Sequence, residues 1–280
     1  MEPGLTGPDT PDSKAPDDRS SELLLRFGSA AILIPIGLAS IWFGGWLLAV
    51  FAAAAAAAMA FEFTRMIGSP LTWLAVVITV LSCIAFQFDR LVAAAILGGG
   101  GAVAAALVVK PPLRFSYFFG ILYAGGLSLG VLSLRGHPVI GFEAAMCVML
   151  CTWASDTAAF FVGKALGGPK LAPVDSPNKT WSGAIGGVVF ASLSGWAFGG
   201  LISASDLLSW ALVGGAVSIS AQLGDLFESQ VKRRYGVKDV SGILPGHGGV
   251  MDRVDGFGTA ALIAVCALAF VPGLVDRLGG

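Results

Sequence analysis

From Phe27 onward the chain alternates between apolar blocks and short polar or glycine-bearing breaks. Each block is about 17–25 residues long, the length a helix needs to cross a bilayer. Nine spans are predicted: Phe27–Phe43, Trp46–Phe63, Leu71–Phe88, Leu91–Val109, Phe115–Leu134, Val139–Val162, Ser182–Ser203, Leu207–Leu223 and Phe257–Val275. Only Gly44-Gly45 separates the first two. The alanine run Ala52–Ala58 and the glycines Gly98–Gly101 predict small faces where helices approach closely, a packing role and not a chemical one.

Composition supports a membrane solvent. Charged residues are 12% of the chain and hydrophobic ones 55%, against about 25% charged in soluble domains; the mean hydropathy is +0.80. Six of the 18 acidic residues fall in the first 22 positions, leaving too few elsewhere to solvate a globule. Residues 1–22, rich in Pro, Asp and Ser, predict a disordered polar tail and lack the cleavage pattern of a signal peptide. About five spans follow in 23–135 and about four in 136–280. A net charge of −1 provides no field for nucleic acid. Cys147 and Cys151 can share a helix face, and all four cysteines lie in apolar runs, which favours packing over metal binding.

Basic residues orient the spans. With the N-terminus inside and nine crossings, 14 of the 17 Lys and Arg residues face the cytoplasm; Arg90, Arg135 and Arg277 do not. The expected architecture is an all-α polytopic membrane protein of about nine transmembrane helices, N-in and C-out, with two cytoplasmic polar loops forming the site.

Ten charged residues crowd between Asp225 and Asp255. If span eight continues past the membrane, Asp225, Ser229 and Lys232 share a face at i, i+4 and i+7. Pro245-Gly246-His247-Gly248-Gly249 lets the backbone turn N–H groups toward an anion. Asp252 and Asp255, three apart, can face one way in the first turn of span nine. Carboxylates from two helices, a cationic cluster and a glycine turn suit phosphate chemistry with a divalent ion; a solvated loop is the plainer alternative. Asp156 lies inside span six, where an ionisable residue is a functional candidate or a hydrogen-bonded link between helices. The segment Ser176-Pro177-Asn178-Lys179-Thr180-Trp181-Ser182-Gly183 brings hydroxyls and a lysine to the start of span seven, either as a phosphate site or as an ordinary helix cap.

The 27 residues SQVKRRYGVKDVSGILPGHGGVMDRVD, Ser229 to Asp255, resemble the signature of the phosphatidate cytidylyltransferases, S-x-x-K-R, four residues, K-D, then P-x-H-G-G-x-x-D-R-x-D. Asp156 with Gly163-Lys164, the Ser-Pro-x-Lys-Thr-Trp element and Gly224-Asp225-Leu226 look like the same family. The resemblance is strong over spans six to nine and extends to hydropathy alone before them. It implies that CTP and phosphatidic acid give CDP-diacylglycerol and pyrophosphate, in a multi-pass protein of the cell (inner or plasma) membrane whose site faces the cytoplasm. It also implies Mg²⁺, with a monovalent cation such as K⁺ left open, and a homodimer in the lipid bilayer. By position, Asp225 and Asp252 match the family's metal-binding aspartates. Lys232, Arg233, Lys238, Asp239, His247, Arg253 and Asp255 are the candidate catalytic residues, and Asp156, Ser176, Lys179, Thr180, Ser229, Gly248 and Gly249 the candidate substrate-binding ones. Two positions depart from the pattern: Ser182 stands where Glu is common, and Asn178 where Lys is frequent.

The rival readings are a CDP-archaeol synthase, a CTP-dependent polyprenol kinase, or a transporter using Asp156 and Asp225 as coupling residues. The D-G-x-x-A-R array of CDP-alcohol phosphotransferases is absent, and no inverted repeat is visible.

Overall fold

The computed structural model describes residues 31–88, 91–238, 240–241, 243 and 248–279. The predicted tail, 1–22, lies outside these described residues, as do the predicted site residues Asp239 and His247.

Helix α1 spans Ala31–Phe43 and α2 Gly45–Met66. Positive φ at both Gly44 and Gly45 turns the chain between them. Arg135 seals that turn by donating from Nε to the Ile41 carbonyl at 2.7 Å and from Nη2 to that of Trp42 at 3.3 Å. Helix α3 is Thr72–Gln87. Helix α4 runs from Leu91–Ala95 through a π-helical turn, Ile96–Gly100, into Gly101–Val108. Then come α5 (Arg114–Arg135), α6 (Gly141–Leu166), α7 (Trp181–Leu201), α8 (Leu207–Arg234), α9 (Met251–Phe270) and α10 (Leu274–Gly279).

Among the described residues, six helical stretches are long and apolar enough to cross a membrane: α2, Pro111–Arg135 containing α5, and α6 to α9. Three shorter apolar helices, Ala31–Phe43, Thr72–Gln87 and Val92–Val108, lie in the other predicted spans. Large apolar side chains such as Trp73, Phe115, Ile185 and Leu193 stand exposed along these helices, as a lipid-facing surface requires. The chain is a mainly helical polytopic membrane protein.

One segment departs from all-α. Lys170–Ala172 (β1) and Ser176–Thr180 (β2) form an antiparallel hairpin, with Lys170 opposite Thr180 and Ala172 opposite Ser176. The hairpin lies in one of the two predicted polar loops; three- and five-residue strands beside a proline-containing turn are too short to leave a periodic signal.

Two groups of helices share α9. Helices α2, α3 and α5 enclose Met59, Phe63, Tyr117 and Ile121. Helices α6, α7 and α8 pack through small residues: a Cβ on Gly214 of α8 would lie 2.2 Å from the Ala191 carbonyl of α7. Cys147 and Cys151 are part of that core, their sulfurs 3.7 Å apart and Cys151 Sγ 3.5 Å from the Ala191 carbonyl, which is packing. Helix α9 lies against α8, α5 and α6 and reaches α2. Helix α8 has 28 residues, about 42 Å of helix, longer than a hydrocarbon core of about 30 Å.

Candidate active site

The C-terminal end of α8 carries the predicted acidic and basic residues. It continues through Arg234 in place of stopping at Leu223. The residues it turns to one side are Asp225, Glu228 and Lys232, at i, i+3 and i+7. Glu228 is 2% exposed, and Ser229, one turn on from Asp225, is half-buried.

Helix α9 starts at Met251, six residues before the predicted span, so Asp252 and Asp255 both lie in its first two turns. One ligand oxygen each from Asp225, Glu228 and Asp255 falls within 4.8 Å of the others. Asp252 sits beside them in a cation pair. Lys232 Nζ donates to Asp252 Oδ1 at 2.6 Å and lies 3.2 Å from Glu228 Oε1. The structure thus groups Asp225 with Asp255 and Glu228, and sets Asp252 against Lys232.

The opposite wall comes from the hairpin and α7. Thr180 caps α7, its Oγ1 accepting the Gly183 N–H at 3.1 Å. Helix α7 meets α6 at two glycines: a Cβ on Gly183 would lie 2.6 Å from the Ala159 carbonyl and 3.3 Å from Gly163 Cα. Ser182 donates its hydroxyl to the Gly167 carbonyl, so the residue that departs from the family pattern ties α7 to the end of α6. Below, Ser155 and Ser218 hydroxyls are 2.7 Å apart, and Gln222 donates to Ser218 Oγ at 2.9 Å and to the Ala184 carbonyl at 3.2 Å. This polar seam locks α6, α7 and α8 in register.

These walls enclose a cavity of about 930 Å³. It brings together Asp156, Lys179, Thr180, Asp225, Asp252, Arg253 and Asp255 from the predicted set, with Lys164, Lys170 and Asn178. Lys179 Nζ is 2.5 Å from Asp225 Oδ2, so the hairpin lysine and the α8 carboxylate face each other. Trp153, Phe160, Leu171 and Phe257 are apolar parts of the same lining.

Other predicted residues lie elsewhere. Ser176 pairs within the hairpin. Arg233 turns outward, donating from Nε to the Asp175 carbonyl at 3.3 Å and from Nη1 to that of Val237 at 3.2 Å. Lys238 is exposed. Gly248 and Gly249 do turn their neighbourhood toward anions, but those anions belong to the protein. The Gly249 N–H points to Asp252 Oδ2 at 3.4 Å. The N–H groups of Val250 and Met251 donate to the two carboxylate oxygens of Glu62 at 2.9 and 2.8 Å.

Glu62 and Glu228 were not singled out from the sequence, although each carried a signal. Glu62 is the one acidic residue inside the predicted span Trp46–Phe63, next to its end, and an ionisable residue within an apolar span is a functional candidate. Glu228 is three residues from Asp225, one helical step along the same face.

The model of the cytidylyltransferase family matches residues 24–271. The phosphatidate cytidylyltransferase of Pseudomonas aeruginosa is 33% identical over 265 residues, 89% of this chain and 97% of that protein. The phosphatidate cytidylyltransferase of Brucella suis is 46% identical over 156 residues, 56% of each chain. That of Bacillus subtilis is 46% identical over 138 residues, 49% of this chain and 51% of the relative. In these last two matches the chain spans about half the length of the curated relatives.

Proposed function

Because the chain belongs to the cytidylyltransferase family, we propose that its cavity transfers the cytidylyl group of CTP to phosphatidic acid, giving CDP-diacylglycerol and pyrophosphate. The observation that carries this reading is the two-sided cavity of about 930 Å³. Carboxylates of α8 and α9 line one wall and the hairpin lysines the wall opposite, with Lys164 of α6 and the aromatic side chains of Trp153, Phe160 and Phe257 also in the lining. Such a chamber suits a substrate pair of which one is a polyphosphate and the other a phosphate on an apolar tail.

The donor set fits Mg²⁺. Asp225, Glu228 and Asp255 offer hard oxygens close together, and Asp255 Oδ2 is buried without a hydrogen-bond partner in the protein, a costly state unless a cation completes it. We assign these three carboxylates as the residues that would hold the ion, with Asp252 at the same wall; a monovalent cation beside it is part of the same proposal. When bound, Mg²⁺ supplies charge neutralisation at the phosphates and leaves the α-phosphorus more electrophilic.

The protein's own groups do the rest. Lys164, Lys170, Lys179 and Arg253 line the cavity and offset the negative charge that accumulates when two phosphate-bearing substrates meet. A phosphatidate oxygen attacks the α-phosphorus, the bond from that phosphorus to the bridging oxygen breaks, and pyrophosphate departs with the electron pair. The lipid phosphate is already anionic at neutral pH, so no strong general base is required. Lys232 holds Asp252 from behind and acts as a positioning residue.

The nine-span, N-in and C-out topology belongs to the same reading. It places the hairpin, the end of α8 and the start of α9 on the cytoplasmic side, where CTP is, in a cell membrane through which phosphatidic acid enters laterally. The homodimer does too, and the mass of the detergent-solubilised protein by light scattering tests it.

The test is pyrophosphate release by purified full-length protein given CTP, Mg²⁺ and phosphatidic acid, with ATP and polyprenol as controls. Release that needs both CTP and phosphatidic acid and disappears in Asp255→Asn is expected. Turnover of CTP with a different lipid only would move the substrate; no turnover with any lipid would refute the enzymatic reading.

A further inference from the structure

We propose that Glu62 is a positioning residue for this site: its carboxylate on α2 caps α9 in trans and so fixes where Asp252 and Asp255 stand. The inference rests on the functional reading above but concerns a residue in the first half of the chain, remote from the signature.

The first N–H groups of a helix have no partner within it and need a cap. Val250, at the N-cap position of α9, brings no side-chain cap. Glu62 replaces it: Oε1 accepts the Val250 N–H at 2.9 Å and Oε2 the Met251 N–H at 2.8 Å. The Ser241 hydroxyl also donates to Oε1, which ties the signature loop to the same group. Glu62 is 1% exposed, and its neighbours Met59, Ala60 and Phe63 are buried in the core, so the carboxylate is held on a rigid support. A negative group at a helix start also favours the helix dipole.

The next residue after Met251 is Asp252, and Asp255 follows one turn on. Any slip of the first turn therefore moves both carboxylates together relative to Asp225 and Glu228 on α8. Gly249 completes the fit: a Cβ there would lie 3.0 Å from both Glu62 carboxylate oxygens, so the loop passes close over the cap only without a side chain.

The decisive variant is Glu62→Gln, which keeps the shape but turns an amide NH₂ toward one of the two N–H donors. Three readouts are taken on full-length protein in detergent. Hydrogen exchange of the peptide covering 248–256 is expected to accelerate about tenfold or more, because a charge-assisted pair of bonds is lost. Mn²⁺ affinity, measured by electron paramagnetic resonance without substrate, is expected to fall about tenfold. In turnover, kcat should drop about 10–100-fold, the usual consequence of misplacing catalytic groups by a fraction of an ångström to an ångström. The KM for CTP should move less than about threefold, since the lysines of α6 and the hairpin are untouched. Gly249→Ala, crowding the same carboxylate from the loop side, is expected to reproduce this pattern and serves if Glu62→Gln does not fold.

Unchanged exchange overturns the cap. Accelerated exchange with unchanged Mn²⁺ affinity and kcat overturns the positioning role and leaves Glu62 merely structural. A wild type that binds Mn²⁺ yet turns over no CTP with phosphatidic acid refutes the functional reading, while exchange and Mn²⁺ affinity still decide the role of Glu62.

Discussion

Lys232 is the cation on which two carboxylates depend. Its Nζ lies 2.6 Å from Asp252 Oδ1 and 3.2 Å from Glu228 Oε1, with side-chain exposures of 12% for Lys232, 14% for Asp252 and 1% for Glu228. Lys232→Met preserves length and apolar packing while deleting the charge. It leaves Glu228 and Asp252 facing Asp255 and Asp225 with no cation of α8 between them. Breaking a buried pair by removing one partner costs about 3–5 kcal/mol, and a chain of this size loses on the order of 10 °C in unfolding temperature for that amount. Thermal unfolding of the detergent-solubilised protein, run beside the pyrophosphate assay, measures both consequences. Turnover should fall sharply, because Asp252 loses the contact that orients it. The double variant Lys232→Met with Glu228→Gln removes the cation together with one of its two acceptors and should recover about 1–3 kcal/mol of the loss without restoring turnover. The reasoning fails if Lys232→Met unfolds within about 2 °C of wild type, which at this size is under about 1 kcal/mol. It fails equally if the double variant is no more stable than the single one.

Gly183→Ala should separate α6 from α7, since the new Cβ would sit 2.6 Å from the Ala159 carbonyl and 3.1 Å from Thr180 Oγ1. A loss of about 1–3 kcal/mol is expected for such overpacking, with turnover reduced because Thr180 and Lys179 share that wall; Gly200→Ala, which meets nothing within 4 Å, is the near-neutral control for both assays. At the other end of α8, Asp206 caps the helix, accepting the Ser209 N–H at 3.0 Å and its hydroxyl at 2.6 Å, and these bonds hold its carboxyl below the usual range. Its stabilising effect is therefore fully present above the unfolded-state value, about 3.9, and is lost as pH falls through the lowered folded value. Asp206→Asn should flatten the acid limb of unfolding temperature against pH below about pH 4 and leave the neutral region nearly unchanged.

The solvent of this protein was legible in its sequence because burial in lipid imposes long apolar runs, and no packing detail is needed to see them. The same holds for the breaks: Gly44-Gly45 does end α1, and both cysteines of α6 are core residues. The acidic and basic positions from Asp225 to Asp255 stood out for a related reason, since charge is costly near a membrane and is kept where it has a use. The meeting of Asp156, Lys179, Asp225 and Asp255 in one cavity, however, needed α6, α7 and α8 to pack through glycines. Those close approaches depend on which faces of three helices meet, and hydropathy carries no such information.

Chain pattern alone thus determined a helical membrane protein with its polar chemistry at the ends of the last four spans. Tertiary structure decided the partners. Whether Asp225 faces Asp252 or Asp255 depends on how α9 is rotated about its axis against α8, because a helix advances 100° per residue and the two aspartates differ in direction by three such steps. The N–H groups of Val250 and Met251, just past the glycines, meet an anion, and only the fold could reveal that it is Glu62, 188 residues away from Val250 in the chain.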